Sequence, residues 1–202
     1  MGIQWPALAS FVLVTTFTPG PNNISAMSLG MSYGYRRSLR YVGGITVGFC
    51  LVMAACAIVD RVLVQTLPRV EPYLKAASSL YVVWLAVQTF RGSREADTES
   101  RPSLGFRDGL LLQLLNPKVI GYGLALYSSF LLSLAATGAG IAVSAVGLAL
   151  VGFAAVSCWA AAGSYFARWL RRPVVRRVTS AILALLLLYS AVESSGLLAL
   201  WR

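Results

Sequence analysis

Long stretches of this chain carry no charge, and the short stretches between them carry several. A helix that crosses a hydrocarbon layer needs about 20 mostly apolar residues. Blocks of that size predict spanning helices near 5–33, 41–60, 72–90, 109–132, 138–166 and 178–200. The first and fifth exceed the need, an excess that proline breaks, tilt or interfacial ends absorb. Trp5, Tyr33, Tyr35, Tyr41, Trp169 and Trp201 fall at the edges of these blocks. Such rings, apolar with one polar atom, favour the headgroup region. The expected fold class is all-α: a polytopic membrane protein with about six transmembrane helices.

Composition excludes the soluble alternative. Of 202 residues, 57% are hydrophobic and 12% charged, against roughly 45–50% and about 25% in soluble domains. Seven acids and seventeen bases are too few to cover a domain of this length in water. The net charge of +10 would suit nucleic acid if the bases were spread over one surface. They sit instead in clusters between apolar blocks, as loops held on the cytoplasmic side do, and no nucleic-acid partner is expected. Cys50, Cys56 and Cys158 lie inside apolar blocks without metal-ligand spacing, and there is no histidine. No metal or cofactor is expected. The N-terminus lacks a basic region ahead of its apolar run, so a cleavable signal peptide is not expected.

Charge also predicts orientation in the membrane. Arg36, Arg37 and Arg40 follow the first block, Arg91, Arg94, Arg101 and Arg107 the third, and Arg168, Arg171, Arg172, Arg176 and Arg177 the fifth. Those twelve bases face four on the other side, Arg61, Arg69, Lys75 and Arg202. The excess places both termini outside the cytoplasm if six segments span, and on opposite sides if only five do. The longest polar stretch, 91–108, divides one membrane domain into repeats of about 1–90 and 109–202. Three spans per half make the second half enter in the opposite sense. A 3+3 inverted repeat is the expected plan, one common among secondary transporters.

Each half opens with a helix interrupted by proline. The first carries Phe17-Thr18-Pro19-Gly20-Pro21-Asn22-Asn23, the fourth Leu115-Asn116-Pro117-Lys118. Pro19 and Pro21 remove backbone donors and Gly20 admits non-helical dihedrals, so broken helices are expected in spans one and four. Such breaks persist at membrane depth only where protein or a water-lined cavity satisfies the freed groups. At about 1.5 Å per residue, Pro19 lies roughly 21 Å from Trp5 and Pro117 about 12 Å from Gly109. Both then fall in the middle to inner part of a layer about 30 Å thick, where two opposed breaks converge on one site. A zwitterion needs donors for its carboxylate and acceptors for its ammonium. Exposed amides after the breaks, the side chains of Asn22, Asn23 and Asn116, and the Lys118 ammonium supply the donors. Freed carbonyls near Phe17 and Thr18, with amide oxygens, supply the acceptors.

Each of these features has a plainer reading. One proline kink is ordinary in membrane helices, and asparagines glue helices together; two matched proline–asparagine sites are harder to explain that way. Lys118, the lone cation well inside a span, either serves the site or snorkels to the surface. Glu193 in span six is a second coupling candidate or simply reaches water near the outer end. Gly44 and Gly48 allow close helix approach, for packing or for sliding.

At these residues the chain resembles the LysE/RhtB amino-acid exporter superfamily. The family's first signature stands here as Thr18–Asn22, then Gly34-Tyr35-Arg36 and Gly43–Gly48; its second stands as Asn116-Pro117-Lys118. Thr16–Ile24, Tyr81–Ala86 and Cys158–Gly163 are similar to the cysteine/O-acetylserine exporter branch. The resemblance implies a non-enzymatic secondary transporter that exports small amino acids or derivatives from the cytoplasm by alternating access. It sets Thr18, Pro19, Gly20, Pro21, Asn22, Asn23, Asn116, Pro117 and Lys118 near the permeation path. The expected partners are an amino-acid substrate and membrane lipid, with a homo-oligomer left open. Export of homoserine/threonine or of a basic amino acid is the alternative. A membrane thiol–disulfide conduit would need a redox cysteine near each break, and spans one and four contain none. A purely structural subunit would leave the matched breaks unexplained.

Overall fold

The computed structural model describes residues 5–94, 104–169 and 173–195, with side chains at 5–58, 73, 76–77, 79–87, 104–167, 178–189 and 191–192. Its regular elements are helical throughout: α1 (Trp5–Phe17), α2 (Pro21–Tyr33), α3 (Tyr35–Arg94), α4 (Phe106–Leu114), α5 (Pro117–Leu126), α6 (Gly138–Trp169) and α7 (Pro173–Ser195). A π turn at Tyr127–Leu131 and a 3₁₀ turn at Leu134–Ala136 connect α5 to α6. The chain is the all-α, polytopic membrane protein that its apolar blocks predict. Among the described residues, Tyr35–Ile58 and Gly138–Ala167 are long and apolar enough to span. Phe106–Leu114 and Pro117–Leu131 form a further pair bent by 62°.

The proline segments end and restart helices where expected. α1 stops at Phe17, Gly20 is extended at φ −163°, and α2 begins with Pro21 at its first position, where a missing N–H costs nothing and φ is already helical. α2 is a polar half-span, carrying Asn22, Asn23, Ser25, Ser28 and Ser32. It tolerates membrane depth because protein surrounds it: Asn23, Ser25, Ser28, Leu29 and Gly30 are all buried. Lipid contact falls instead to exposed apolar side chains such as Leu51, Leu150 and Leu185.

The second and third predicted spans differ from expectation in having no helix-free loop between them. α3 is helical across all 60 residues. It cannot be straight. Along a straight helix Tyr41 and Tyr81 would lie about 60 Å apart. Yet the Tyr81 hydroxyl donates to the Asp108 carbonyl at 2.7 Å, while a Cβ on the next residue, Gly109, would collide with the Tyr41 carbonyl. Two limbs of α3 therefore meet the same turn of α4, and the chain folds back between Tyr41 and Tyr81. Across the expected loop, 61–71, Pro68 is the only proline and there is no glycine. The rest is compatible with helix.

Two hydrophobic cores flank the breaks. One joins Ile24, Leu29, Tyr41, Val82, Leu112 and Leu187; the other joins Leu8, Val12, Met53, Tyr122, Leu126 and Ala149. The α2–α6 contact near the first core is backbone on backbone. A Cβ on Gly30 would strike the Ala160 carbonyl, and one on Gly163 the Met27 carbonyl. Small residues are what permit such an approach.

Candidate functional site

Between the two cores lies a cavity of about 600 Å³, counting space open to its surroundings, that both breaks line. About 70 Å³ of it is open to the centres of water-sized groups. Roughly 10–15 Å³ holds one water, so the space takes about five to seven water-sized groups, the scale of a small amino acid. The polar lining is Thr15, Thr16, Thr18, Asn22, Asn23, Thr46, Gln113, Asn116, Lys118 and Tyr122. Ile45, Phe49, Val119 and Val156 supply the apolar part. Among the described residues, Lys118 is the only charged one in the lining, and none is a carboxylate.

The two breaks settle their freed backbone groups differently. At the first, Asn23 Nδ2 donates to the Thr16 carbonyl at 2.9 Å and the Thr18 carbonyl at 2.8 Å. Trp159 of α6 donates Nε1 to the Phe17 carbonyl at 3.2 Å. Each of these carbonyls accepts one hydrogen bond from the protein and keeps a second lone pair. Asn23's amide nitrogen thus holds the end of α1 to α2. At the start of α2, Gly20 is the N-cap and has no side chain to offer. The first-turn amides of Asn22 and Asn23 therefore receive no cap.

At the second break the cap is present. Asn116 is buried, and its Oδ1 accepts from the Lys118 amide at 3.1 Å while its carbonyl accepts from Val119 and Ile120. Pro117 takes the first helical position of α5. Asn116 and Pro117 thus shape the bend, and the Asn116 oxygen is committed to it. Lys118 reaches across instead. Its Nζ is 3.7 Å from where a Cβ on Gly20 would sit, so the missing side chain leaves the ammonium room beside the α2 N-terminus.

Gln113, which the sequence reading missed, forms the direct link between the broken helices. It is fully buried, and its Oε1 accepts from Asn22 Nδ2 at 2.7 Å. Gln113 Nε2, Asn22 Oδ1 and Asn23 Oδ1 are buried without a hydrogen-bond partner. A buried amide left unsatisfied costs about 1–3 kcal/mol, and three at one cavity mark a place that a polar ligand would stabilise. The signal was available: an amide in the apolar run Gly109–Leu115, three residues before Asn116. Tyr122, also missed, stacks on Phe11 at 5.6 Å and tilts against Phe49 at 6.0 Å, closing the apolar side.

Thr18 and Pro19 are exposed at the mouth of the break, with Thr18 Oγ1 donating to the Thr15 carbonyl at 2.9 Å. Glu193 falls in α7, with its side chain outside the described residues. Among the described residues, Cys50, Cys56 and Cys158 form no disulfide and lie outside the cavity lining; Cys56 packs on α5, its Sγ 3.7 Å from the Ile120 carbonyl.

The LysE type translocator family matches residues 13–194. The chain belongs to that family. As a translocator it is a transport protein of a bacterial membrane, not an enzyme. It is 36% identical over 187 residues, 93% of its own length and 95% of theirs, to proteins named cysteine/O-acetylserine efflux protein. Two such relatives come from Escherichia coli (strain K12) and Shigella sonnei (strain Ss046). No solved structure matches the translocator.

Proposed function

We propose that this translocator exports small neutral amino acids or their derivatives, cysteine and O-acetylserine first among them, from the cytoplasm across the inner membrane. The observation that carries the reading is the uncapped N-terminus of α2 facing the Lys118 ammonium across Gly20. Together they form a carboxylate seat: two free backbone amides at the positive end of a helix dipole, plus one cation. The unpartnered Asn22 Oδ1 and Asn23 Oδ1 are the acceptors for an α-ammonium. The relatives' name, cysteine/O-acetylserine efflux protein, supports this solute class and direction of movement. A basic amino acid suits the cavity less well, because its second cation would meet Lys118 and no carboxylate.

Export then proceeds by alternating access, the two halves of an inverted repeat rocking about the paired breaks. Lys118 and Glu193 are the ionisable groups inside the spans that proton coupling would use. The basic loops support a topology with both termini outside the cytoplasm.

The reading is tested in proteoliposomes loaded with labelled cysteine, O-acetylserine, threonine and lysine, with and without a pH gradient. Asn22→Ala and Lys118→Met should each lower efflux of the neutral solutes at least tenfold at equal membrane abundance, the scale of one charge-assisted hydrogen bond. Full efflux in both variants would remove the site from Asn22 and Lys118.

A further inference from the structure

We propose that Gln113 sets the solute preference of the translocator, its free amide hydrogens taking an acceptor atom on the solute's side chain. The inference rests on the amino-acid export proposed above and deepens it. Four observations converge on this side chain. Gln113 is fully buried, its oxygen is held by Asn22, its nitrogen has no partner, and it lines the same cavity as Lys118. Its position is also built in. A Cβ on Gly48 would lie 2.8 Å from Gln113 Cβ and 3.2 Å from Cγ, so glycine there lets the stem of Gln113 lie against α3.

The Asn22 bond orients the amide so that Oε1 is committed and the two Nε2 hydrogens are the groups left to offer. If the α-carboxylate sits at the start of α2 and the α-ammonium on the asparagine oxygens, the solute's side chain is the part left for Gln113. A hydroxyl or ester oxygen there satisfies Nε2. An apolar side chain leaves it unpaired, and a site built around a buried donor discriminates against solutes that lack the acceptor. A cationic side chain brings donors to a donor, with no carboxylate in the lining to neutralise it.

The test compares efflux of serine with that of 2-aminobutyrate, which replaces the hydroxyl by a methyl group, and with lysine, from loaded proteoliposomes. The wild-type protein should favour serine by roughly tenfold, the size of one net hydrogen bond, and retain lysine. Q113M, of similar length without polar atoms, should bring the serine to 2-aminobutyrate ratio to near parity. Q113E keeps an oxygen for Asn22 Nδ2, and so keeps the bridge between α2 and α4. It should also lower the ratio and, by adding a carboxylate, admit lysine. Q113E therefore carries the test if Q113M does not accumulate in the membrane. An equal loss for both solutes, or an unchanged ratio with lysine still retained, overturns the assignment. Wild-type vesicles that release cysteine or O-acetylserine but none of these three overturn the Gln113 assignment, and vesicles that release none of the five overturn amino-acid export itself.

Discussion

At the scale of single residues, the three amide side chains nearest the breaks divide the work unequally. Asn23 and Asn116 use hydrogen-bonding groups to hold the chain's own backbone, while Asn22 reaches across to Gln113. Chemical type alone would not separate them. What separates them is which freed group lies within reach, and that is fixed by one residue's rotation along α2. Asn23→Ala leaves the Thr16 and Thr18 carbonyls without their bridging donor. It should destabilise the fold by about 1–3 kcal/mol. Thermal unfolding in detergent measures this, and a variant as stable as the wild type would show that water replaces the amide.

At the scale of elements, the telling feature is how closely α2 approaches α6. The helix that carries the site is polar on several sides, and it is kept from lipid by backbone contact at Gly30 and Gly163. Gly163→Val places two methyl groups where the Met27 carbonyl lies. It should cost about 1–3 kcal/mol or more by overpacking and reduce export through displacement of α2. Gly147→Val is the matched control, since a Cβ there meets nothing within 4 Å. It should match the wild type in melting temperature and efflux. Equal damage from both substitutions would locate the effect in α6 itself and not in its contact with α2.

At the scale of the whole molecule, the folded-back α3 constrains topology. Its two limbs meet one turn of α4, so the segments around Arg36–Arg40 and Arg91–Arg94 are expected on the same face of the membrane, the side with twelve bases. Reporter fusions after Ser38 and after Ala96 should both report cytoplasm, and fusions at the two termini the opposite side. Split results at Ser38 and Ala96 would mean that α3 crosses only once. The fold-back accords with separate apolar blocks at 41–60 and 72–90; what differs is that the segment between them is helical.

Sequence by itself determined the solvent, the helices and the location of the breaks. Those depend on local facts: block length against hydrocarbon thickness, a proline's missing donor, and a glycine between two prolines. It also determined that Thr18–Asn23 and Asn116–Lys118 belong together, because two matched interruptions in opposite halves call for one shared place to satisfy freed groups. Only the tertiary structure decided how those groups are satisfied. Hydrogen-bond partners 91 residues apart, as Asn22 and Gln113 are, are chosen by helix rotation and packing, which no local pattern records. So the α5 N-terminus proved to be capped by its own asparagine while the α2 N-terminus is left uncapped beside Lys118. That asymmetry, hidden in two motifs that look alike in sequence, is what gives the cavity a polar end.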